Sequence, residues 1–568
     1  MERERAPTCL DLTPLSPLPF HTHTQPPTDP ALRRTSSRVK GIQSDGMYIV
    51  EERARGGAGS RITVAAPNAD AARAGTRVEV VLEEAGPTER HPAGDVPFKS
   101  ENGLPGMDEA FLAVLQRAAA GGGAGAKEEA APGALLLRSA GPPPLTTAAP
   151  PSLAAATLAE EDVTKVTREG IVHLAFHPAA VREGAGSGGG PASHRLLLAA
   201  GAKSGRVSLW DVDWTPPAGG GGGGDGGGED EEGTDADAGV AAADDAGAAA
   251  GVLEFAPHFA YISGLAWAPQ GGAGGTLFTA SYDGSVRALD VSSGGGAFAP
   301  ALLHADAEFS AFDVAPDGSW GVVADKDGVA RVFDPRSGGV PASSGEASPS
   351  SACPTAGSRG AVVGEHALAE KKVNCLSVEP GAARAIAASF SDGAVRVFDL
   401  RALGTGGLAS SKRGPPTACP LATAAHAQTV QGCYFAPDGS GRILTTSRDD
   451  TLGVWGGVER AGSGGKKGGP TDLTRLATAK HNNNTGRWVI PFRAVWAPPA
   501  WAGDTVLVGG MARTIDVFSA GSGKALASLR SPDCMTAIPS RVAAHPSVPV
   551  LAGATASGRV NVFRGPGA

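Results

Sequence analysis

Between Lys371 and Arg401 the chain reads KKVNCLSVEPGAARAIAASFSDGAVRVFDLR. Three short apolar runs, VNCLSV, AIAASF and AVRVFDL, are separated by turns containing Gly, Pro and Asp. Runs of this length, rich in Val, Ile and Phe and punctuated in this way, predict antiparallel strands joined by tight turns. The turn Ser391-Asp392-Gly393 supplies a residue that tolerates positive φ where a hairpin needs one. A sheet this small cannot bury its own faces, so the pattern has to recur.

It recurs in Ile171 to Asp211, Tyr261 to Asp290, Phe309 to Asp334, Val430 to Trp455, Phe492 to Phe518 and Ala537 to Phe563, which makes seven copies. The common order is an apolar strand ending near a Pro, a strand of small residues, a polar turn, and a strand ending in Trp or Phe. A period of roughly 40 residues, with four strands per unit once a variable outer strand is added, describes WD-type blades. A sandwich of unrelated hairpins would not keep this order. The pattern therefore predicts an all-β fold, a seven-bladed WD-repeat β-propeller over residues 151–568. The last copy lacks an outer strand of its own, and Leu153 to Val166 is expected to close the ring and remove an exposed edge.

Residues 1–150 are rich in Pro, Gly and Ala with little sustained periodicity, and read as a mostly disordered N-terminal region. Two islands stand out in it. Arg33 to Lys40, RRTSSRVK, is a short basic cluster, suited to nuclear import, to phosphate contact or to a solvated tail. Met107 to Arg117 places Phe111, Leu112 and Leu115 on one face of a short amphipathic helix.

The net charge of -9 argues against a polyanionic partner until its location is considered. Asp225, Glu229, Asp230, Glu231, Glu232, Asp235, Asp237, Asp244 and Asp245 account for all of it, within a Gly/Ala-rich stretch that has no Lys or Arg. That stretch, at about 215–250, reads as a disordered acidic insert between the first two blades, and the rest of the chain is neutral. The six cysteines form no CxxC pair and no metal spacing, so reduced thiols are expected, with Cys375 and Cys433 buried in strands. No apolar run approaches the roughly 20 residues of a membrane span, and MERERAPTCLDL lacks a signal-peptide core. The sequon at Asn483 is read as accidental for that reason.

Catalytic signatures are missing: there is no GxxxxGK[ST], HExxH or GxSxG, and the Gly-rich runs follow no strand–helix unit. No enzyme activity, cofactor or metal is expected, and His177, His258, His426 and His545 are assigned structural hydrogen bonds. One segment departs from ordinary blade sequence: His481 to Trp496, HNNNTGRWVIPFRAVW. Arg487 offers phosphate pairing and a planar surface, and Trp488 offers a face for a base or a wedge into a base step. Packing of Trp488 between blades, with Arg487 capping a carbonyl, fits the residues equally.

HNNNTGRWVIPFRAVW, AAGAKSGRVSLWDV, VTREGIVHLAFHP and LTTSRDDTLGVW, with RRTSSRVKG and MDEAFLAVLQ upstream, resemble the WD-repeat DNA damage-binding proteins. The similarity is to their changed-mutation-rate type, also called WD repeat-containing protein 76-like. The resemblance implies a nuclear protein, with a share in the cytoplasm, that binds double-stranded DNA and acts in DNA damage response and genome maintenance. In the family's ultraviolet-damage receptor a basic propeller face holds the duplex and a hairpin inserts a Phe-Gln-His wedge; the corresponding stretch here is Gly486-Arg487-Trp488, without the His. Arg168, Lys203, Arg493 and Arg513 match basic positions of that face, which with Arg487 and Trp488 gives the implied DNA-binding set. The resemblance also implies chromatin proteins and the adaptor propeller of cullin–RING ubiquitin ligases as partners. Asp399-Leu400-Arg401 and Asp334-Pro335-Arg336 fit the Asp-x-Arg box of adaptor binders, with Phe398 and Phe333 in place of Trp. The alternative is a protein-interaction scaffold or substrate receptor of such a ligase without direct DNA binding.

Overall fold

The computed structural model describes residues 48–52, 61–65, 79–80, 96–103, 106–121, 148–179, 181–182, 194–214, 251–268, 276–290, 297–298, 302–335, 361–381, 383–404, 415–458, 470–486 and 488–566. The basic cluster at Arg33, the acidic insert, Arg336 and Arg487 lie outside the described residues. The chain divides into two compact units, Met1–Arg90 and His91–Ala568. In the first, Tyr48–Glu52 pairs antiparallel with Arg61–Ala65, which pairs with Glu79–Val80. Alternation in YIVEE and RITVA accounts for these short strands, which lie within the region read as mostly disordered.

The second unit is the propeller. Seven sheets follow one another, with inner strands Ile171–Phe176, Ile262–Trp267, Phe309–Val314, Val373–Val378, Val430–Phe435, Val495–Trp496 and Pro539–Ala544. Each inner strand pairs antiparallel with a second strand, and that with a third; in blade one a small hairpin of Val181–Arg182 and His194–Arg195 is inserted between the first two. The third strands carry the aromatic anchors of the repeat: Trp210, Phe333, Phe398, Trp455, Phe518 and Phe563 are buried, and Leu289 takes this place in blade two. Small second-strand residues such as Ala387, Ala388, Ala552 and Ala554 are buried and let neighbouring blades approach, so the second strands of blades four and seven are dry on both faces.

Closure follows the expectation. Val163–Lys165 pairs with Arg559–Arg564 as the outer strand of blade seven, and the inner strand of blade seven packs beside that of blade one. Arg564 locks this seam, with Nε on Asp162 at 2.9 Å and Nη2 on Asp213 at 2.8 Å. Two further outer edges are covered from upstream. Val96–Pro97 pairs with Ala297–Phe298, and the amide of Asn102 takes both backbone roles toward the blade-one outer strand, donating to Val252 O and accepting from Glu254 N. The helix Met107–Gly121 then buries Met107, Phe111, Val114, Leu115 and Ala118 at i, i+4, i+7, i+8 and i+11 against Phe98, Phe255 and Phe298. The packed unit thus begins well before residue 151, because these apolar residues cover the edges of blades one and two.

The histidines hold blades together. His426 bridges Asp449 (3.0 Å) and Thr445 (2.8 Å), and Trp455 Nε1 donates to the same Thr445 hydroxyl at 2.9 Å. His258 joins Asp283 and Thr279 in the same way. Burial opposes ionisation of Asp283, but the hydrogen bonds from His258 and Ser285 outweigh it and hold the carboxyl down at about 2. His177 and His545 accept N–H groups of their own turns. Replacing Arg564 by Met should leave Asp162 buried without its partner and cost about 1.5–3 kcal/mol. Urea denaturation of the variant and the parent measures it.

Candidate nucleic-acid interface

The inner strands all start on one side of the ring, here the upper face. The connections into each blade and the turns between second and third strands lie there, and the ends of the third strands lie on the lower face. At the upper turn, Gly205, Gly284, Gly328, Gly393 and Gly558 have positive φ. A Cβ at Gly393 would come within 2.7 Å of the His426 carbonyl of the next blade, so glycine is required by close backbone approach. Blades five and six break the pattern with Asp450 (φ 60°) and Arg513 (φ 61°) at this position. A charged side chain is held in a left-handed conformation there, and both serve the same part of the surface.

That part is the segment HNNNTGRW, which leads into blade six. Its first half is an anchor. Asn483 is buried and donates from Nδ2 to Ser447 O (2.9 Å) and Thr451 O (3.2 Å), while its N–H reaches Asp450 Oδ1 at 2.9 Å. His481 is fixed between Asn483 Oδ1 (2.7 Å) and Asp516 (3.4 Å). The sequon asparagine is thus inside the fold. The second half projects: Val489 N–H donates to Gly486 O, and Trp488 is 81% exposed. Ile490 then turns back into the core beside Gly170, and Pro491 O accepts from Arg541. A tryptophan presented on a loop pinned at both ends answers the packing alternative: Trp488 does not pack between blades.

Arg168, Lys203 and Arg513 are exposed on this same face. A Cβ placed on Gly170 would lie 3.3 Å from Lys203 Cε and 3.4 Å from Ile490 Cδ1, so the connection bearing Arg168, the turn bearing Lys203 and the Trp488 loop meet at one point. Around them, Arg530 adds positive charge and Glu169 and Asp533 subtract; Arg206 is neutralised by Glu101 and Glu254. The upper loops of blades two to four carry Asp306, Glu308, Asp327, Glu370 and Asp392 against Lys326, Lys371 and Lys372. Charge on the upper face is mixed overall and basic in the sector of blades six, seven and one.

Arg493 lies elsewhere. The third residues of six inner strands, each beside a bulge, stand at one level around the axis: His173, Gly264, Ala311, Cys375, Gly432 and Arg541; Arg493, two residues ahead of Val495–Trp496, takes this place in blade six. Arg493 and Arg541 line a central cavity of about 210 Å³. Arg493 crosses it to donate to Asn374 O at 2.8 Å, and Arg541 donates to Val172 O at 2.7 Å and to Ser540 O at 3.1 Å. Burial and the nearby Arg493 bring Arg541 down to about 10. Asp313, on the opposite wall, is pushed up to about 7 by burial, although it accepts the N–H groups of Val314 and Val378. Arg541 was not singled out in the sequence; its place as third residue of an inner strand is the signal that would have found it.

On the lower face Asp399 ends a third strand and fixes Arg401, which donates from Nε at 3.0 Å and from Nη2 at 2.7 Å. That hydrogen bonding holds the Asp399 carboxyl below its usual range. The Arg401 side chain remains 73% exposed in this pose. Asp334 ends the equivalent strand of blade three. Among the described residues no group of His, Cys, Asp and Glu is arranged to hold a metal ion, and no helix is long and apolar enough to cross a membrane.

WD repeat-containing protein 76 of Xenopus laevis is 30% identical over 410 residues, 72% of this chain and 55% of the relative. DNA damage-binding protein CMR1 of Coccidioides immitis is 27% identical over 411 residues, 71% of this chain and 66% of the relative. The chain is a homologue of both. It spans about half the length of the WD repeat-containing protein 76 relatives that it matches, the mouse protein included at 28% identity and 51% of its length. No family model matches. Among solved structures, the Cps50 (Swd1) β-propeller domain of Myceliophteria thermophila aligns at 13% identity with a TM-score of 0.41, covering 65% of this chain and 93% of that one.

Two outcomes follow from this geometry. Arg513→Gly should stabilise the fold by about 0.5–1 kcal/mol by relieving the left-handed arginine, measured by denaturant midpoint. Asp313, raised in the folded state, contributes stability that is full below the ordinary carboxylate pKa of about 4 and is lost as pH rises toward 7. Asp313→Asn should therefore gain on the parent by no more than about 1.4 kcal/mol per pH unit between pH 4 and 7 and no further above it, followed by urea denaturation across pH.

Proposed function

We propose that this protein is a non-enzymatic, nuclear DNA-binding propeller of the DNA damage response, holding duplex DNA on the basic sector of its upper face. The observation that carries the reading is the meeting of three loops at Gly170, which puts Lys203 and Arg168 beside the pinned loop of Trp488. Arg168, Lys203, Arg513 and Arg530 supply phosphate contacts, which position a duplex without reading its sequence. Trp488 supplies a stacking or wedging surface, with Arg487 next to it in the chain. The DNA damage-binding names of the relatives support the same reading. Arg493, inside the channel, is not counted among the phosphate contacts.

The lower face supports a second, compatible reading as a docking site for a ligase adaptor. Its observation is the exposed Arg401, whose guanidinium is already oriented by Asp399. An ordered, exposed arginine is a low-cost anchor for a protein partner.

Fluorescence anisotropy of the full chain with labelled duplex, intact and lesion-bearing, across a salt series tests the first reading, and pull-down with the ligase adaptor propeller tests the second. The parent should bind with strong salt dependence, and Arg168→Ala, Lys203→Ala and Arg513→Ala should each reduce the log–log salt slope by about 0.9. Trp488→Ala should cost about 1–3 kcal/mol with the slope unchanged. Arg401→Ala should leave DNA affinity intact and reduce only adaptor capture. Absence of binding at low salt contradicts the DNA reading.

A further inference from the structure

Two guanidinium groups from neighbouring blades share the central cavity, and among the described residues neither pairs with a carboxylate. Bracing the ring does not require charge. Ser310 and Asn374 perform the same duty between other blades as neutral donors, to Val373 O at 2.7 Å and Val430 O at 2.9 Å. Arginine stands instead in blades six and seven, and each guanidinium has five donors, of which Arg493 spends one on a carbonyl and Arg541 uses Nε and Nη1 on three, so N–H groups remain on both. Buried charge without a counter-charge is unfavourable, and the usual remedy is an anion.

The rest of the wall does not supply one of matching strength. Among the described residues Asp313 is the one carboxylate lining the cavity; it is committed to two backbone N–H groups, and burial pushes it up to about 7, which weakens it as a counter-charge. The Cys375 thiol is drawn down to about 6 by its hydrogen bond with Cys433 and by Arg493, and offers at most one negative charge against two guanidiniums. Burial and both arginines keep His173 neutral, and burial pushes the Tyr434 hydroxyl up. At the same level the wall also carries Ala311, whose small side chain leaves room, while Gly432 lies against Arg493 and Gly264 against Phe312. At about 30 Å³ per water the cavity holds about seven waters, enough for a tetrahedral oxyanion with part of its shell.

We propose that the central channel is a binding site for a phosphate-type oxyanion, gripped by Arg493 and Arg541. The guanidinium fork matches phosphate oxygens in bidentate geometry, which an ammonium would not. The inference stands apart from DNA binding on the upper face, since it rests on channel residues alone. The phosphate is either free in solution or the terminal phosphate of a nucleic-acid strand reaching the channel mouth beside Lys203.

The test is calorimetric titration of the full chain with inorganic phosphate at millimolar concentration, with chloride balancing ionic strength. The parent should show saturable binding, and its melting temperature should rise by about 2 °C at tenfold the dissociation constant. Arg493→Met and Ala311→Asp, the second placing a carboxylate opposite intact arginines, should each weaken binding at least tenfold; either suffices if the other fails to fold. Lys524→Ala, at an exposed position outside both proposed sites, should stay within twofold. Competition between inorganic phosphate and a 5′-phosphorylated duplex, but not a 5′-hydroxyl one, would identify the strand end as the source, and its absence the free ion. No saturable binding by the parent, or binding undiminished in both channel variants, would overturn the proposal.

Discussion

The seam between Val163–Lys165 and Arg559–Arg564 is the constraint on which the rest depends. A ring of seven sheets has no stable half-closed form, because an open ring exposes the long edge of its last blade and the apolar sides of two others. Here the last blade borrows its outer strand from the start of the propeller, and Arg564 ties that strand to Asp162 and to Asp213 of blade one. The connection leaving the seam carries Arg168 and Gly170, so closing the ring also assembles the basic sector. Fold and interface share one set of hydrogen bonds.

Around this seam the regular repeat is bent to local purposes. Blades five and six give up the turn glycine for Asp450, which clamps Asn483, and for Arg513, which faces solvent. Blade six has a short inner strand, since Pro491 and the pinned loop replace its opening hydrogen bonds. The channel arginines sit in the same sector, with Arg541 holding the end of the loop through Pro491. Departures from repeat geometry concentrate where recognition is proposed, as expected of strain kept for function.

Much of this was legible in the sequence. The seven repeats show because a propeller writes the same strand–turn order into each blade, and the need for a closing strand follows from the missing outer strand of the last. The helix at Met107 was visible from Phe111 and Leu115, but its packing was not, since a single amphipathic turn pattern does not say what it covers. Arg493 looked like a surface cation because one strand read alone does not reveal which residue faces the axis. Aligning the third residues of all seven strands does, and would have found Arg541 as well. In the sequence Asn483 stands out only as part of a sequon, and the structure shows it with His481 as an anchor beneath the exposed Trp488.

Hydrogen–deuterium exchange of the full chain, with and without duplex DNA, addresses the central claim most directly. Binding on the upper sector predicts protection confined to residues 166–170, 203–206, 486–490 and 511–513, with residues 399–403 on the lower face unchanged. Protection on the lower face, or around the whole upper rim without preference for this sector, would contradict it.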